Sequence, residues 1–456
     1  MSTIASISTA PGIGGIGIIR MSGEKSFEIL EKIFKPKTEQ KIDYIKGYTI
    51  KYGHIVENEE IIDEVLVSYF KAPRSYTTEN MCEINSHGGN IIVKKILEMC
   101  LKNGAELAEP GEFTKRAFLN GRIDLAQAES VIDVINAKSD KEAKSGIKQL
   151  EGYLSSEIKE IKQEILNVLV NIEVTIDYPE YDTPEVQENE IKEMLDSVGN
   201  RLERLEKSFD NGKIIKDGIK TAIIGKPNAG KSSLLNAILK EDRAIVTDIA
   251  GTTRDTIEEF VTINGIPLNL VDTAGIREAS DEVEKIGVEK SIKQAKDADL
   301  IIAIFDSSRD LTDEDLEILE LIKNKKSIIL LNKSDLNAKI NENDSRFTDI
   351  TDNIIKISAL NKTGIDLLYE KISNMFNLNE INLDNDILIT NIRHKNIISK
   401  SLDNVKKSKE ALEMNLPIDI ITIYIKNILE DLGEITGEVV TEDIINEIFS
   451  KFCLGK

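Results

Sequence analysis

From residue 219 to about 375, short apolar runs alternate with stretches of helical periodicity. Residues 221–224, 266–271 and 327–331 read as strands, and 233–239 reads as a helix after the first of them. This alternation predicts a parallel α/β sheet. Asn264-Gly265 marks a tight turn that pairs 257–263 with 266–271 as a hairpin. The flanks have a different texture. Residues 1–119 mix β-like runs at 16–20, 48–55 and 64–70 with a helix over 89–103, where Ile92, Ile96, Leu97 and Met99 are apolar. Residues 125–135 open a helical region that continues, charged and amphipathic, to 176. A loop with Pro179 and Pro184 follows, then another helix to about 209. Beyond about 388 the chain is helical again.

These textures divide the chain into 1–119, 120–216, 217–377 and 378–456. The ends of a compact domain often lie close together, so a second domain can be inserted there. The expected fold class is α/β plus α. An α/β domain (217–377) is inserted into one helical domain built from 120–216 and 378–456, and an α+β N-terminal domain precedes both.

The α/β segment carries the chemistry. Gly225-Lys-Pro-Asn-Ala-Gly-Lys-Ser232 has the form of a phosphate-binding loop between strand and helix. Its glycines let backbone N–H groups turn inward around phosphates. Lys231 would reach the β- and γ-phosphates, and Ser232 would ligate Mg²⁺. Asp272-Thr273-Ala274-Gly275 closes an apolar strand; Asp272 would hold Mg²⁺ through water, and the Gly275 amide would sense the γ-phosphate. Asn332-Lys333-Ser334-Asp335 follows another strand. The Asp335 carboxylate matches the N1–H and exocyclic amine of guanine, a pairing adenine cannot offer, and Ser358-Ala359-Leu360 would close over the base. Between these motifs lies Gly251-Thr252-Thr253, where Thr253 is the natural switch ligand for Mg²⁺. The set predicts a GTPase.

One position departs from the common pattern. After Gly275, Ras-like proteins carry a glutamine that orients the attacking water. Here Ile276 stands there and cannot do so. The carboxylate-rich segment 277–284 can supply a water-positioning group, and Asn228 can help to bind a monovalent cation in place of an arginine finger.

Composition narrows the partners. With 58 Lys plus Arg against 80 Asp plus Glu, the net charge of −22 repels nucleic acid over most of the surface. Any RNA must therefore meet a local basic patch or a partner. Cys82, Cys100 and Cys453 are too few and too scattered for a disulfide framework, which suits a reducing cytoplasm. No apolar run approaches the ~18 residues of a membrane span. The opening residues lack the basic region of a signal peptide, so a cytoplasmic protein without membrane contact is expected. Gly12-Ile-Gly-Gly-Ile-Gly17 formally fits a dinucleotide fingerprint, but the residues after it look like strand rather than helix. A glycine-rich turn is the plain reading, and close approach of a flat ligand the sharper one. The Cys453-Leu-Gly-Lys456 ending does not suit prenylation. His54, His87 and His394 stand apart, and structural roles are expected for them.

Both ends of the chain carry more specific patterns. Residues 10–20, Ser86-His-Gly-Gly89, 110–118, Asp124-Leu-Ala-Gln-Ala-Glu129, 242–255 and the terminal Cys-Leu-Gly-Lys resemble the MnmE (TrmE) family of tRNA modification GTPases, over essentially the whole chain. The resemblance implies an N-terminal domain like those of tetrahydrofolate-binding one-carbon enzymes, and a homodimer built through it. It implies a flavoprotein partner, MnmG, with which a carboxymethylaminomethyl or aminomethyl group is placed on C5 of the wobble uridine of certain tRNAs. It also implies G domains that pair when GTP and K⁺ bind. By position it extends the nucleotide-binding set to Ser233, Thr247, Asp248, Ile249 and Ala250. It assigns K⁺ to Asn228, Thr247, Ile249 and Thr252, water orientation to Glu284, and reduced-folate contacts to Arg20, Glu83, Arg122 and Lys456. Cys453 matches an essential cysteine of the family.

Two other readings stay open. A ribosome-assembly or signalling GTPase would carry a basic RNA-binding appendage, whereas the segment beyond 388 is mixed in charge. A folate-dependent transferase with a regulatory GTPase would bind folate without modifying tRNA. The guanine-reading assignment is tested directly by Asp335→Asn, which should shift preference toward xanthine nucleotides. An unpaired buried donor costs about 1–3 kcal/mol, so GTP affinity should fall about tenfold or more. Equal GTP affinity in the variant and the parent would exclude the assignment.

Overall fold

The structure is a computed structural model; it describes residues 1–38, 47–177, 188–239, 259–270, 297–378 and 387–456. Two compact units are formed. One comprises residues 1–132, 148–199 and 400–456, and the other 133–147 and 200–399.

The N-terminal part of the first unit is built on strands β1 (Ile4–Ile7), β2 (Ile16–Ser22), β3 (Phe34–Pro36), β4 (Thr49–Glu57), β5 (Glu60–Phe70), β6 (Met81–His87) and β7 (Glu106–Leu107). They form one sheet in the order β3-β4-β5-β6-β2-β1-β7. Neighbours are antiparallel except β1 and β7, which run parallel. Helices α1 (Ser26–Ile33) and α2 (Asn90–Lys102) supply the buried side chains Phe27, Ile29, Leu30, Ile33, Val93, Ile96, Met99 and Cys100 to its core. Their spacing is that of one helical face. Strands alternate faces, so Ile19, Met21, Cys82 and Ile84 point into this core while Arg20 and Glu83, directly paired across β2 and β6, point to the opposite side. The short helix α3 (Glu112–Leu119) completes this part, with Phe113 fully buried.

Helices α4 (Leu125–Asn136), α5 (Asp140–Leu150), α6 (Tyr153–Asp177) and α7 (Glu188–Asp217) follow. The helix expected to end near 209 runs on to 217, past Gly212. There a Cβ would lie 2.1 Å from the Ile389 carbonyl oxygen, so the glycine permits a close backbone approach and does not end the helix.

In the second unit, β8 (Ile219–Ile224), β9 (Glu259–Ile263), β10 (Ile266–Leu270), β11 (Leu300–Asp306), β12 (Ser327–Asn332) and β13 (Ile354–Lys356) form a sheet in the order β13-β12-β11-β8-β10-β9. It is parallel as expected, apart from the β9–β10 hairpin. Asn264 (φ 51) and Gly265 (φ 77) both take the left-handed conformation that a two-residue hairpin turn demands. Central β11 and β12 are buried along almost their whole length, as strands covered on both faces must be. Helices α8 (Lys231–Leu239), α9 (Asp313–Ile322), α10 (Ser345–Thr348) and α11 (Ile365–Met375) surround the sheet. The chain closes with α12 (Ile392–Glu413), α13 (Ile418–Thr436) and α14 (Glu442–Ser450). No helix among the described residues is long and apolar enough to cross a membrane.

Thiol chemistry reports on this packing. Cys82 and Cys100 are buried, and burial pushes the Cys82 thiol well up and the Cys100 thiol to about 12, whereas Cys453 is exposed. Since the thiolate is the nucleophile, a chromogenic disulfide reagent should titrate one thiol in the native protein and three after unfolding. Three fast-reacting thiols in the native protein would contradict the burial.

Candidate functional site

The phosphate-binding loop joins β8 to α8. Asn228 (φ 62) and Gly230 (φ 107) take left-handed conformations, and a Cβ on Gly230 would fall 2.0 Å from the Asn332 Nδ2. Only glycine lets the loop come so near the end of β12. Lys231 Nζ donates to the carbonyls of Gly225 (2.5 Å) and Lys226 (2.8 Å). Ser232 and Ser233 are exposed at the start of α8, where the helix dipole favours an anion.

Asn332, at the end of β12, is buried and spans two loops. Its Nδ2 donates to the Ala229 carbonyl at 2.8 Å, and its Oδ1 accepts from the Ala359 N–H at 3.0 Å. Asp335 is exposed, and its Oδ1 accepts from Ser358 Oγ at 2.5 Å. Lys333 (φ 62) reaches Asp306 Oδ2 at the end of β11, 2.7 Å away. Burial would raise the Asp306 carboxyl, but the Lys333 and Ser308 hydrogen bonds outweigh it and hold the group below its ordinary value. Ala359 is buried and Leu360 is 80% exposed, a free apolar rim beside Asp335's partner Ser358. The structure thus brings together Asn228, Ala229, Gly230, Lys231, Asn332, Lys333, Asp335, Ser358 and Ala359. Thr247, Asp248, Ile249, Ala250, Gly251, Thr252, Thr253, Asp272, Thr273, Ala274, Gly275 and Glu284 lie outside the described residues.

A second cluster forms on the open side of the N-terminal sheet. Both Arg20 contacts to Glu83 fall on Oε1, from Nε at 2.9 Å and Nη2 at 2.8 Å. The same guanidinium donates from Nη1 to the Gly455 carbonyl at 3.1 Å, and Ser8 Oγ donates to that carbonyl at 3.1 Å. The Gly111 N–H donates to the Cys453 carbonyl at 3.3 Å. Residues 453 and 455 are therefore seated on the N-terminal domain, with Arg20 joining Glu83 to the chain end. Aromatic rings frame the cluster: the Arg20 guanidinium lies 5.6 Å from the Tyr76 and Phe113 centroids, and that of Arg122 4.8 Å from Tyr76. Arg122 also donates to the Tyr76 carbonyl at 3.1 Å. Tyr76 went unnoticed in the sequence because it sits in a loop without a diagnostic spacing, and Phe113 was part of the 110–118 run without a role of its own. The glycine-rich loop packs against Gly88: the Gly14 N–H donates to the Gly88 carbonyl at 3.2 Å, and a Cβ on Gly88 would meet Gly14 O at 2.4 Å. His87 Nδ1 lies 2.6 Å from Asp63 Oδ1, and this bond raises the imidazole pKa. His394 is buried beside Arg393 Nη2 at 3.0 Å. Among the described residues no group of three His, Cys, Asp or Glu side chains is placed to hold a metal ion.

The family model described as the MnmE helical domain matches residues 125–453, and that described as the GTP-binding protein TrmE N-terminus matches residues 3–122. Over 454 residues the chain is 52% identical to the tRNA modification GTPase MnmE of Clostridioides difficile (strain 630), covering 100% of this chain and 99% of that relative. The chain belongs to the MnmE family of tRNA modification GTPases. The relative of that name from Acetivibrio thermocellus is 50% identical over 458 residues, covering 100% of this chain and 99% of its own length. A solved G domain of the T. maritima FeoB iron transporter is 30% identical, covering 34% of this chain and 97% of that chain at a TM-score of 0.25. As a member of the MnmE family the chain is a GTP hydrolase that takes part in tRNA modification. Its helical-domain match spans both flanks of the α/β sheet, the insertion expected from the texture of the sequence.

Proposed function

We propose that this MnmE-family GTPase acts as a homodimer with the flavoprotein MnmG. In this reading the pair adds a carboxymethylaminomethyl or aminomethyl group to C5 of the wobble uridine of certain tRNAs, with a reduced folate as the one-carbon source. The observation that carries the proposal is the Arg20 bridge between Glu83 and the Gly455 carbonyl. It brings the Cys453 segment, remote in sequence, to the sheet face that bears the assigned folate contacts.

The donor set at this face suits a folate. Arg20 uses only Oε1 of Glu83 in the contacts described, so Oε2 is the oxygen offered to pterin N–H groups. The half-buried Tyr76 would present its ring to a flat heterocycle, with Phe113 buried behind Arg20, and Arg122 and Lys456 would supply positive charge for a glutamate tail. Bound folate would supply the one-carbon unit. Cys453 is exposed beside this face, available to a reaction partner.

In the G domain, Ser232 and Thr253 would hold Mg²⁺, while Asn228, Thr247, Ile249 and Thr252 would hold K⁺. The Asn228 side chain, exposed at the tip of the phosphate loop, provides an oxygen suited to a large hard cation. A cation there offsets charge that grows in the transition state. Glu284 would orient the attacking water that Ile276 cannot. Pairing of two G domains would then control hydrolysis.

GTP hydrolysis should be fast in KCl and slow in NaCl, and Asn228→Ala should flatten the difference; equal rates of the parent protein in the two salts would remove the K⁺ role. For the folate face, calorimetry with 5-formyltetrahydrofolate should give binding by the parent protein and at least a tenfold loss in Glu83→Ala, the scale of one lost charged hydrogen bond. No heat with the parent, or unchanged affinity in the variant, would overturn the folate assignment without touching the GTPase.

A further inference from the structure

The second residue of the phosphate-binding loop makes a contact that the recognised nucleotide motifs do not explain. Lys226 Nζ lies 2.6 Å from Asp315 Oδ2 and 2.6 Å from Thr312 Oγ1. Both partners belong to the first turn of α9, the helix that follows β11. Asp315 is 4% exposed. Its Oδ2 also accepts from the Thr312 N–H (2.9 Å) and hydroxyl (3.1 Å), closing a capping box. Thr312 therefore donates a hydrogen bond to Asp315 and accepts one from Lys226. The three groups form a closed ring of charge-assisted bonds around the buried Asp315 carboxylate.

The position of this ring matters for the loop. The Lys226 carbonyl, together with that of Gly225, accepts from Lys231 Nζ. Three residues further on, the Ala229 carbonyl accepts from Asn332. The loop is thus pinned at 226 by α9 and at 229 by the guanine-reading strand. Between the pins stand Pro227, whose φ is fixed by its ring, and Asn228, held at φ 62. The segment from 306 to 315 receives one lysine from each nucleotide loop: Lys333 at Asp306 and Lys226 at Asp315.

We infer that Lys226 and Asp315 form a positioning clamp that fixes the phosphate-binding loop in its nucleotide-ready shape, with Thr312 as the bridging hydroxyl. Neither residue needs to touch GTP. A loop set in advance loses less order on binding, so the clamp acts on nucleotide affinity more than on the chemical step.

Full-length protein is compared with Lys226→Met, Lys226→Arg, Asp315→Asn and the Met/Asn double variant, using a fluorescent GDP analogue for affinity and steady-state GTP hydrolysis for rates. Lys226→Met and Asp315→Asn should each weaken GDP about tenfold and raise KM similarly, with kcat falling less than about threefold, the pattern of lost uniform binding. Lys226→Arg should recover most of the affinity, because a guanidinium can span Thr312 and Asp315. The double variant should be no weaker than Lys226→Met alone, as for two halves of one interaction. Full affinity in Asp315→Asn would mean that Lys226 meets the nucleotide directly and would overturn the clamp. So would additive losses, an Arg variant as weak as Met, a fall in kcat at constant KM, or a lower melting temperature with unchanged affinity.

Discussion

The nucleotide site depends on one buried amide. Asn332 is 3% exposed at the end of a central strand, and it satisfies both ends of its side chain with backbone from two other loops. A buried amide without partners is costly, so the loops at 229 and 359 are held to it. In return it fixes the separation between the 332–335 segment, the loop at 359 and the loop at 225–232. Gly230 follows from the same contact, since any side chain there would occupy the space of the Asn332 nitrogen. Next to Asn332, the left-handed turn at Lys333 accompanies the reach of that side chain back to Asp306.

The N-terminal unit uses a different device. There the two faces of a single sheet are divided by strand alternation. One face buries Ile19, Met21, Cys82 and Ile84 under α1 and α2, and the other displays Arg20 and Glu83. A one-residue slip of β2 against β6 would bury the charges and expose the core, so the register of the sheet also places the Arg20–Glu83 pair.

Much of this was legible in the residue pattern, for physical reasons that can be named. Strand–loop–helix context made the phosphate loop readable, and Asn264-Gly265 announced its turn because few residue pairs adopt two left-handed conformations in succession. Boundaries were less legible. The helix after the loop starts at Lys231 rather than 233, and α7 continues to 217 rather than 209, through a glycine whose close approach to Ile389 is a tertiary contact with no local signal. Long-range polar contacts left no local trace. Nothing in the spacing of Lys226, Thr312 and Asp315, or of Arg20, Tyr76 and Gly455, tells that the fold brings them together.

The seating of the chain end has one more implication. Its described contacts to Arg20, Ser8 and Gly111 run through the carbonyls of Gly455 and Cys453, not through side chains. Gly455 itself is required by its φ of 83 and by the Ile7 carbonyl, 2.3 Å from where a Cβ would stand. Leu454 between them is 57% exposed. A segment gripped by its backbone is measured by length, and beyond the glycine its grip does not depend on side-chain type. One extra residue between 453 and 455 would have to bulge out or draw one anchor away from its donor by up to about 3.5 Å, so this segment works as a ruler whose graduations are peptide units.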